Sequence, residues 1–192
     1  MSKKTLTPVF RVSYPSLFVK NKYDNKEAYE VTCIIPKDFD TAGHPSFPGG
    51  SNKKQMAALQ KEIEDVGRAA FGKDWPTVKE RQYAYPIRDG SERDRDGYGP
   101  EVVFFRAKST RDRPNVVDRK RQPIYENDDN GIYAGCYAIA SVSVYAYTEK
   151  SKGVAIGLKN VQKIADGDTF GSRTTPEDDF EEWDDDDEDL LL

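Results

Sequence analysis

Between Phe104 and Arg121 lie seven basic side chains, Arg106, Lys108, Arg111, Arg113, Arg119, Lys120 and Arg121, against two acids, Asp112 and Asp118. Phe104 and Phe105 open the run and Tyr125 follows it. Cations neutralise phosphates and rings stack on base faces, so this interleaving suits a sequence-tolerant groove for one polynucleotide strand. Five of the seven bases are arginine, whose planar guanidinium also stacks on bases. The competing reading is an ordinary solvated face.

A second set of rings follows in residues 136–147. Cys136, Ala138, Ala140, Val142, Val144 and Ala146 alternate with Tyr137, Ile139, Ser141, Ser143, Tyr145 and Tyr147. The first set is apolar and mostly small, as the interior of a tight barrel requires. The second places three tyrosines on the opposite face, with alternate side chains about 6–7 Å apart. That spacing suits a platform for unstacked bases; a second core or a dimer interface would use the same rings.

The last sixteen residues carry eleven acids and no base, so residues 1–176 hold 29 bases against 23 acids and the chain is a mildly basic body joined to a concentrated anion. Within the acidic segment stand Phe180, Trp183, Asp184, Asp185, Asp186 and Asp187, and then Leu190, Leu191 and Leu192. Apolar anchors inside a mobile anion have the chemistry of a docking peptide for a partner protein, and the same anion can compete with a polyanionic ligand for the body.

Signals for catalysis are weak. His44 is the only histidine and lies among Gly and Pro. The phosphate-loop and dinucleotide glycine patterns are absent. The segments 94–97 and 128–131 resemble fragments of calcium loops but lack the distal glutamate, and read as turns. Cys33 and Cys136 have no metal-ligand spacing and read as buried free thiols. No cofactor and no metal is expected. A metal-dependent nuclease assembled from distant carboxylates stays open as a third class.

The elements that must position these residues follow from periodicity. Residues 9–14 read as a strand stopped by Pro15, and 20–27 as a polar turn. Tyr29, Val31, Cys33 and Ile35 share one face of a half-buried strand, and 40–52 are a loop. Met56, Leu59, Ile63, Val66 and Ala70 form one stripe of a helix over about 53–71, with Ser51 or Asn52 as its cap and Gly72 at its end. Residues 83–87 read as extended, 88–99 as a charged, flexible loop and 102–107 as a strand. The strand 136–147 pairs with 153–161 across a turn at 148–152. The expected fold is mainly β: a Greek-key barrel like the oligonucleotide-binding (OB) fold, with one inserted helix and long polar loops. A β-sandwich fits the pattern nearly as well. The domain is expected over 1–170, and 171–192 is expected to be a disordered acidic tail. No apolar run reaches membrane-span length, and the N-terminus lacks a signal-peptide core, so a cytoplasmic protein is expected.

Several ordered blocks carry a resemblance. They are Arg11-Val12-Ser13-Tyr14-Pro15-Ser16-Leu17-Phe18, Ile34-Ile35-Pro36-Lys37, Pro86-Ile87-Arg88-Asp89-Gly90 and Ala107-Lys108-Ser109. They continue through Arg113-Pro114-Asn115-Val116-Val117-Asp118, Tyr133-Ala134-Gly135-Cys136-Tyr137 and Gly157-Leu158-Lys159-Asn160-Val161-Gln162. With these blocks the chain resembles the phage-encoded single-stranded DNA-binding proteins. The resemblance implies an OB fold, a role in phage DNA replication or recombination within the bacterial host cytoplasm, and an acidic tail that recruits replication or recombination proteins and competes with DNA. Relatives often end that tail in phenylalanine, where this chain ends in Leu192.

The expected function is therefore non-catalytic, largely sequence-independent binding of single-stranded DNA. Arg106, Lys108, Arg111, Arg113, Lys120 and Arg121 are the candidate phosphate contacts. Tyr137, Tyr145 and Tyr147 are the candidate stacking rings, with Phe105 and Tyr125 as further candidates. The alternative is an interaction module that works through the acidic tail, with the barrel as a dimerisation unit; whether the protein is a homodimer stays open.

Overall fold

Apolar alternation with a period of two dominates the chain after its first residues, and it builds strands. The computed structural model describes residues 4–38, 52–75 and 83–171. Among them run β1 (Thr5–Leu6), β2 (Phe10–Tyr23), β3 (Lys26–Pro36), the helix α1 (Asn52–Phe71), β4 (Arg88–Asp89), β5 (Val102–Ser109), β6 (Asn115–Val117), β7 (Tyr137–Tyr147) and β8 (Gly153–Ala165).

Five strands close into a ring in the order β7, β2, β3, β5, β8 and back to β7. Every junction is antiparallel except β5 with β8, which is parallel. β1 extends the line of β2 along β7, and β6 extends the line of β5 along β8. The sheet closes on itself, so the fold is the expected OB-like barrel and not a sandwich. The interior holds Phe10, Val12, Val31, Cys33, Ile35, Phe105, Ala107, Ala138, Ala140, Val142, Ile156 and Val161. Small residues on β7 let the facing strands approach, as barrel closure demands. Both cysteines are free and buried, and burial pushes both thiols up from their ordinary range.

α1 lies against β7, β1 and β8 with Met56, Leu59 and Ile63 buried. Val66 packs beside them, whereas Ala70 is exposed and Phe71 takes its place against Trp75. The Asn52 side-chain oxygen accepts from the Val9 N–H at 3.0 Å, tying the helix to the approach to β2, and Ser51, the other candidate cap, lies outside the described residues. Glu62, buried inside the same contact, accepts from the Thr5 hydroxyl. Gly72, at φ 68°, ends the helix as its type allows.

Three expectations are corrected here. Pro15 does not stop the first strand; β2 continues past it through a bulge between Ser13 and Ser16. Residues 20–27 are not a turn but the end of a long β2–β3 hairpin. Only Asp24 and Asn25 turn, both with positive φ, in the two-residue geometry that matches strand twist. Residues 88–99 are not an unstructured loop. They form β4 and a single 3-10 turn at 90–92, closed by a reciprocal Asp89–Glu92 capping box. Tyr98 from this segment packs with Ile34, Val102, Phe104 and Phe170 in a small second core outside the barrel.

Candidate nucleic-acid interface

β3 and β5 pair from Tyr29 opposite Ser109 to Pro36 opposite Val102. Alternation sends Val31, Cys33, Phe105 and Ala107 into the barrel and leaves Glu30, Thr32, Arg106 and Lys108 on the outer face. That face is the floor of a groove of about 640 Å³. The β2–β3 hairpin supplies one wall with Tyr14, Asn21, Tyr23 and Lys26, and the folded 93–95 segment supplies the other with Arg93, Asp94 and Arg95. Among the described residues, five bases and two tyrosines thus face one cleft against two acids.

The two rings are available. Tyr23 is 82% exposed at the hairpin tip, and Tyr14 is 55% exposed. Tyr14 has φ 45°, a backbone setting that bulky residues seldom adopt, and it lies in the bulge before Pro15. Opposite, the Arg93 guanidinium rests 4.6 Å from the Phe104 ring centroid and 5.3 Å from that of Tyr98. Its Nη1 donates to the Tyr98 hydroxyl at 3.2 Å, and that hydroxyl donates to Ser13 at 3.1 Å. The second core therefore fixes the arginine wall against the sheet.

One carboxylate lies in the floor. Glu30 is nearly buried, accepts from the Asn21 amide at 2.9 Å, and stands 3.7 Å from Arg106 Nη1 and 3.6 Å from Lys108 Nζ.

The residues singled out in sequence divide among several places. Arg106 and Lys108 are in the groove. Arg113 is beyond the end of β5, its guanidinium 5.2 Å from the Phe18 ring, and Arg111 is exposed in the same connection. Lys120 and Arg121 occupy a turn organised by Asp118, whose carboxylate accepts from the N–H groups of Lys120 and Gln122 at 2.8 Å each. That turn borders a second, smaller hollow of about 280 Å³ lined by Arg119, Lys120, Asn130, Lys163 and Asp166. Lys108 is in register with Gly157 and Val117 with Gln162, so along β8 the two cationic patches are roughly 17 Å apart. Beside the second patch the Lys163 ammonium, 2.7 Å from Asp166, holds that carboxyl below its ordinary range, helped by the Tyr133 hydroxyl.

The tyrosines of β7 do not form one platform. Tyr137 pairs with Ala165 and Tyr147 with Gly153, at opposite ends of the strand. Tyr137 lies beneath the Arg11 guanidinium at 5.6 Å. Tyr145 is half-exposed and its ring lies beside Gly157, the residue that separates it from Lys108; burial pushes its hydroxyl up. Phe105 is a correction: it is 1% exposed inside the barrel, because position 105 falls on the inward phase of β5. Tyr125 is exposed, but it lies beyond the 118–122 turn rather than in the groove. Phe180, Trp183, Asp184 to Asp187 and Leu190 to Leu192 fall outside the described residues, as does His44.

The groove is also lined by Tyr14, Tyr23, Lys26, Arg93 and Arg95, which the sequence does not single out. The segment Arg93-Asp94-Arg95-Asp96 has no net charge, so counting charge hides it. No local pattern marks Tyr14, because a residue before proline is expected in extended backbone at negative φ, whereas Tyr14 stands at φ 45°.

The segment after β8 crosses back over the barrel. Arg11 Nε donates to the Gly135 carbonyl and Nη2 to the Asp168 carbonyl, and its guanidinium lies 4.2 Å from the Phe170 centroid. The Gly171 N–H then donates to the Asp96 carboxylate at 2.8 Å. The last described residue is thus bonded next to Arg95 of the groove wall.

A family model described as Enterobacter phage Enc34, ssDNA-binding protein, matches residues 3–191. "Putative protein p50" of Acyrthosiphon pisum secondary endosymbiont phage 1 is 28% identical over 167 residues, which cover 83% of this chain and 82% of that protein. Among solved structures, the single-stranded DNA-binding protein from bacteriophage Enc34 in complex with ssDNA superposes with a TM-score of 0.67 at 19% identity, over 88% of this chain and 89% of the other. The gp2.5 single-stranded DNA-binding protein of bacteriophage T7 superposes with a TM-score of 0.56 at 17% identity, over 95% and 97%. At these identities the structural likeness speaks for the fold.

Proposed function

The chain belongs to the family of the Enterobacter phage Enc34 ssDNA-binding protein, and from that premise we propose that it binds single-stranded DNA in the outer groove of β2, β3 and β5. The family and its structural neighbours are binding proteins rather than enzymes. The observation that carries the reading is the convergence of Lys26, Arg93, Arg95, Arg106 and Lys108 with exposed Tyr14 and Tyr23 on one cleft. Cations held along a cleft engage the backbone, and rings at its edge stack on any base, so affinity comes without sequence readout. Arg111, Arg113, Lys120 and Arg121 extend the cationic surface, and Tyr145 borders it across Gly157; Tyr137 and Tyr147 remain candidates for a longer strand. The setting is phage DNA replication or recombination in the host cytoplasm.

The acidic segment acts as a displaceable mimic of the strand and as the docking peptide for replication or recombination proteins. Its eleven acids begin at Glu177, six residues after Gly171. Six extended residues span at most about 20 Å. With Gly171 bonded to Asp96 beside the groove wall, a linker of that length is long enough for the anion to meet the groove of its own chain.

Polarisation of labelled oligo(dT) across a salt series tests the site. Wild-type protein binds at low salt, and Arg106→Ala with Lys108→Ala together weaken binding about tenfold or more, with a flatter salt dependence by a slope of roughly 1.4. Absence of binding at low salt would discard this reading in favour of the interaction module.

A further inference from the structure

We propose that Glu30 governs how Arg106 and Lys108 are released to a bound strand. The inference rests on the groove being the strand-binding site. A carboxylate in the floor of a cleft for a polyanion opposes binding, so its place there requires a reason. Glu30 lies opposite Lys108 across the β3–β5 ladder. Its carboxylate is within 3.6 Å of Lys108 Nζ and 3.7 Å of Arg106 Nη1, while its other oxygen is held by Asn21 at 2.9 Å.

On its far side Lys108 is in register with Gly157, which offers no side chain to compete. Glu30 therefore draws both cations down against the sheet in the free protein. A phosphate gains them only by displacing this carboxylate, which itself stays in place because its side chain is only 11% exposed and tied to the hairpin. The exchange lowers affinity and quickens release, as suits a protein that a moving polymerase or recombinase must strip from DNA. Glu30 is thus a positioning residue, acting through the cations and not on the strand.

Glu30→Gln removes the charge, keeps the shape, and retains an oxygen for Asn21. It binds oligo(dT) several-fold more tightly than wild type and dissociates more slowly. Its log affinity against log salt is steeper by up to about 0.7, because no carboxylate is left unpaired to take up a cation when Arg106 and Lys108 move to the phosphates. In the background of Arg106→Ala with Lys108→Ala the same change gives no gain. A purely structural role moves the melting temperature but not the salt slope. Equal or weaker binding with an unchanged slope overturns the proposal, as does a gain that survives removal of both cations. Glu30→Ser, which removes the charge with less bulk, repeats the comparison if the glutamine variant loses its cooperative melt. Failure of wild-type protein to bind oligo(dT) is a separate outcome and discards the groove reading itself.

Discussion

Tyr14 concentrates the residue-scale argument. Its φ of 45° costs on the order of 1–3 kcal/mol for a side chain of its size, and its ring packs too little to return that energy. Tyr14 lies in the bulge before Pro15, half-exposed in the groove that Asn21 and Tyr23 also line. A base stacked there contributes about 1–3 kcal/mol. Tyr14→Gly therefore weakens oligo(dT) binding by roughly tenfold while its melting temperature stays at or above that of wild type, since glycine accepts positive φ. Tyr125→Ala, equally a loss of an exposed ring, leaves affinity near wild type. Equal losses in the two titrations would dismiss Tyr14 as a stacking site. Phe105 teaches the converse: a ring among bases in sequence is a core residue when its strand phase points inward.

Among elements, the hairpin end at 20–27 and the 88–99 segment line the groove, and composition alone reads the first as a polar turn and the second as a charged loop. Polar residues at 20–27 reflect a hairpin arm that projects beyond the barrel and is wet on both faces, so its alternation carries no apolar signal. The 88–101 segment folds because Lys37 pairs with Asp89, Arg88 with Glu92, and Tyr98 with the outer core around Phe104. The helix was legible because one apolar stripe is enough to mark it. Its fit is close at Gly67, where an added Cβ would fall 2.1 Å from the Trp75 ring. Gly67→Ala displaces that ring and its stack on Tyr85. Thermal or denaturant melts should register a loss of about 1–3 kcal/mol; a stability equal to wild type would mean that Trp75 repacks freely.

The whole molecule is an electrostatic pair. The body carries six more bases than acids, and the terminal sixteen residues carry eleven acids. Gly171 is bonded next to the groove wall, so the proposed competition between that anion and DNA would be intramolecular and would act at high effective concentration. Deleting residues 177–192 should tighten oligo(dT) binding and steepen its salt dependence. An unchanged affinity in the same titration would end the competition argument and leave the segment with partner recruitment alone.

Features that depend on local order are legible along the chain: the inward phase of β7, the helix stripe, the surplus of cations around β5, the acidic terminus and the ordered blocks of the family. Which cations meet rings follows from the pairing of distant strands. Tyr14, Tyr23, Glu30, Arg93 and Arg106 span more than ninety positions of the chain and share one cleft. They meet because β2, β3 and β5 hydrogen-bond side by side, and because Phe104 and Tyr98 pin the arginine wall over them. Periodicity reports the face a residue takes on its own strand. Neighbours across the sheet are set by pairing and register between distant segments, and local pattern holds no record of that.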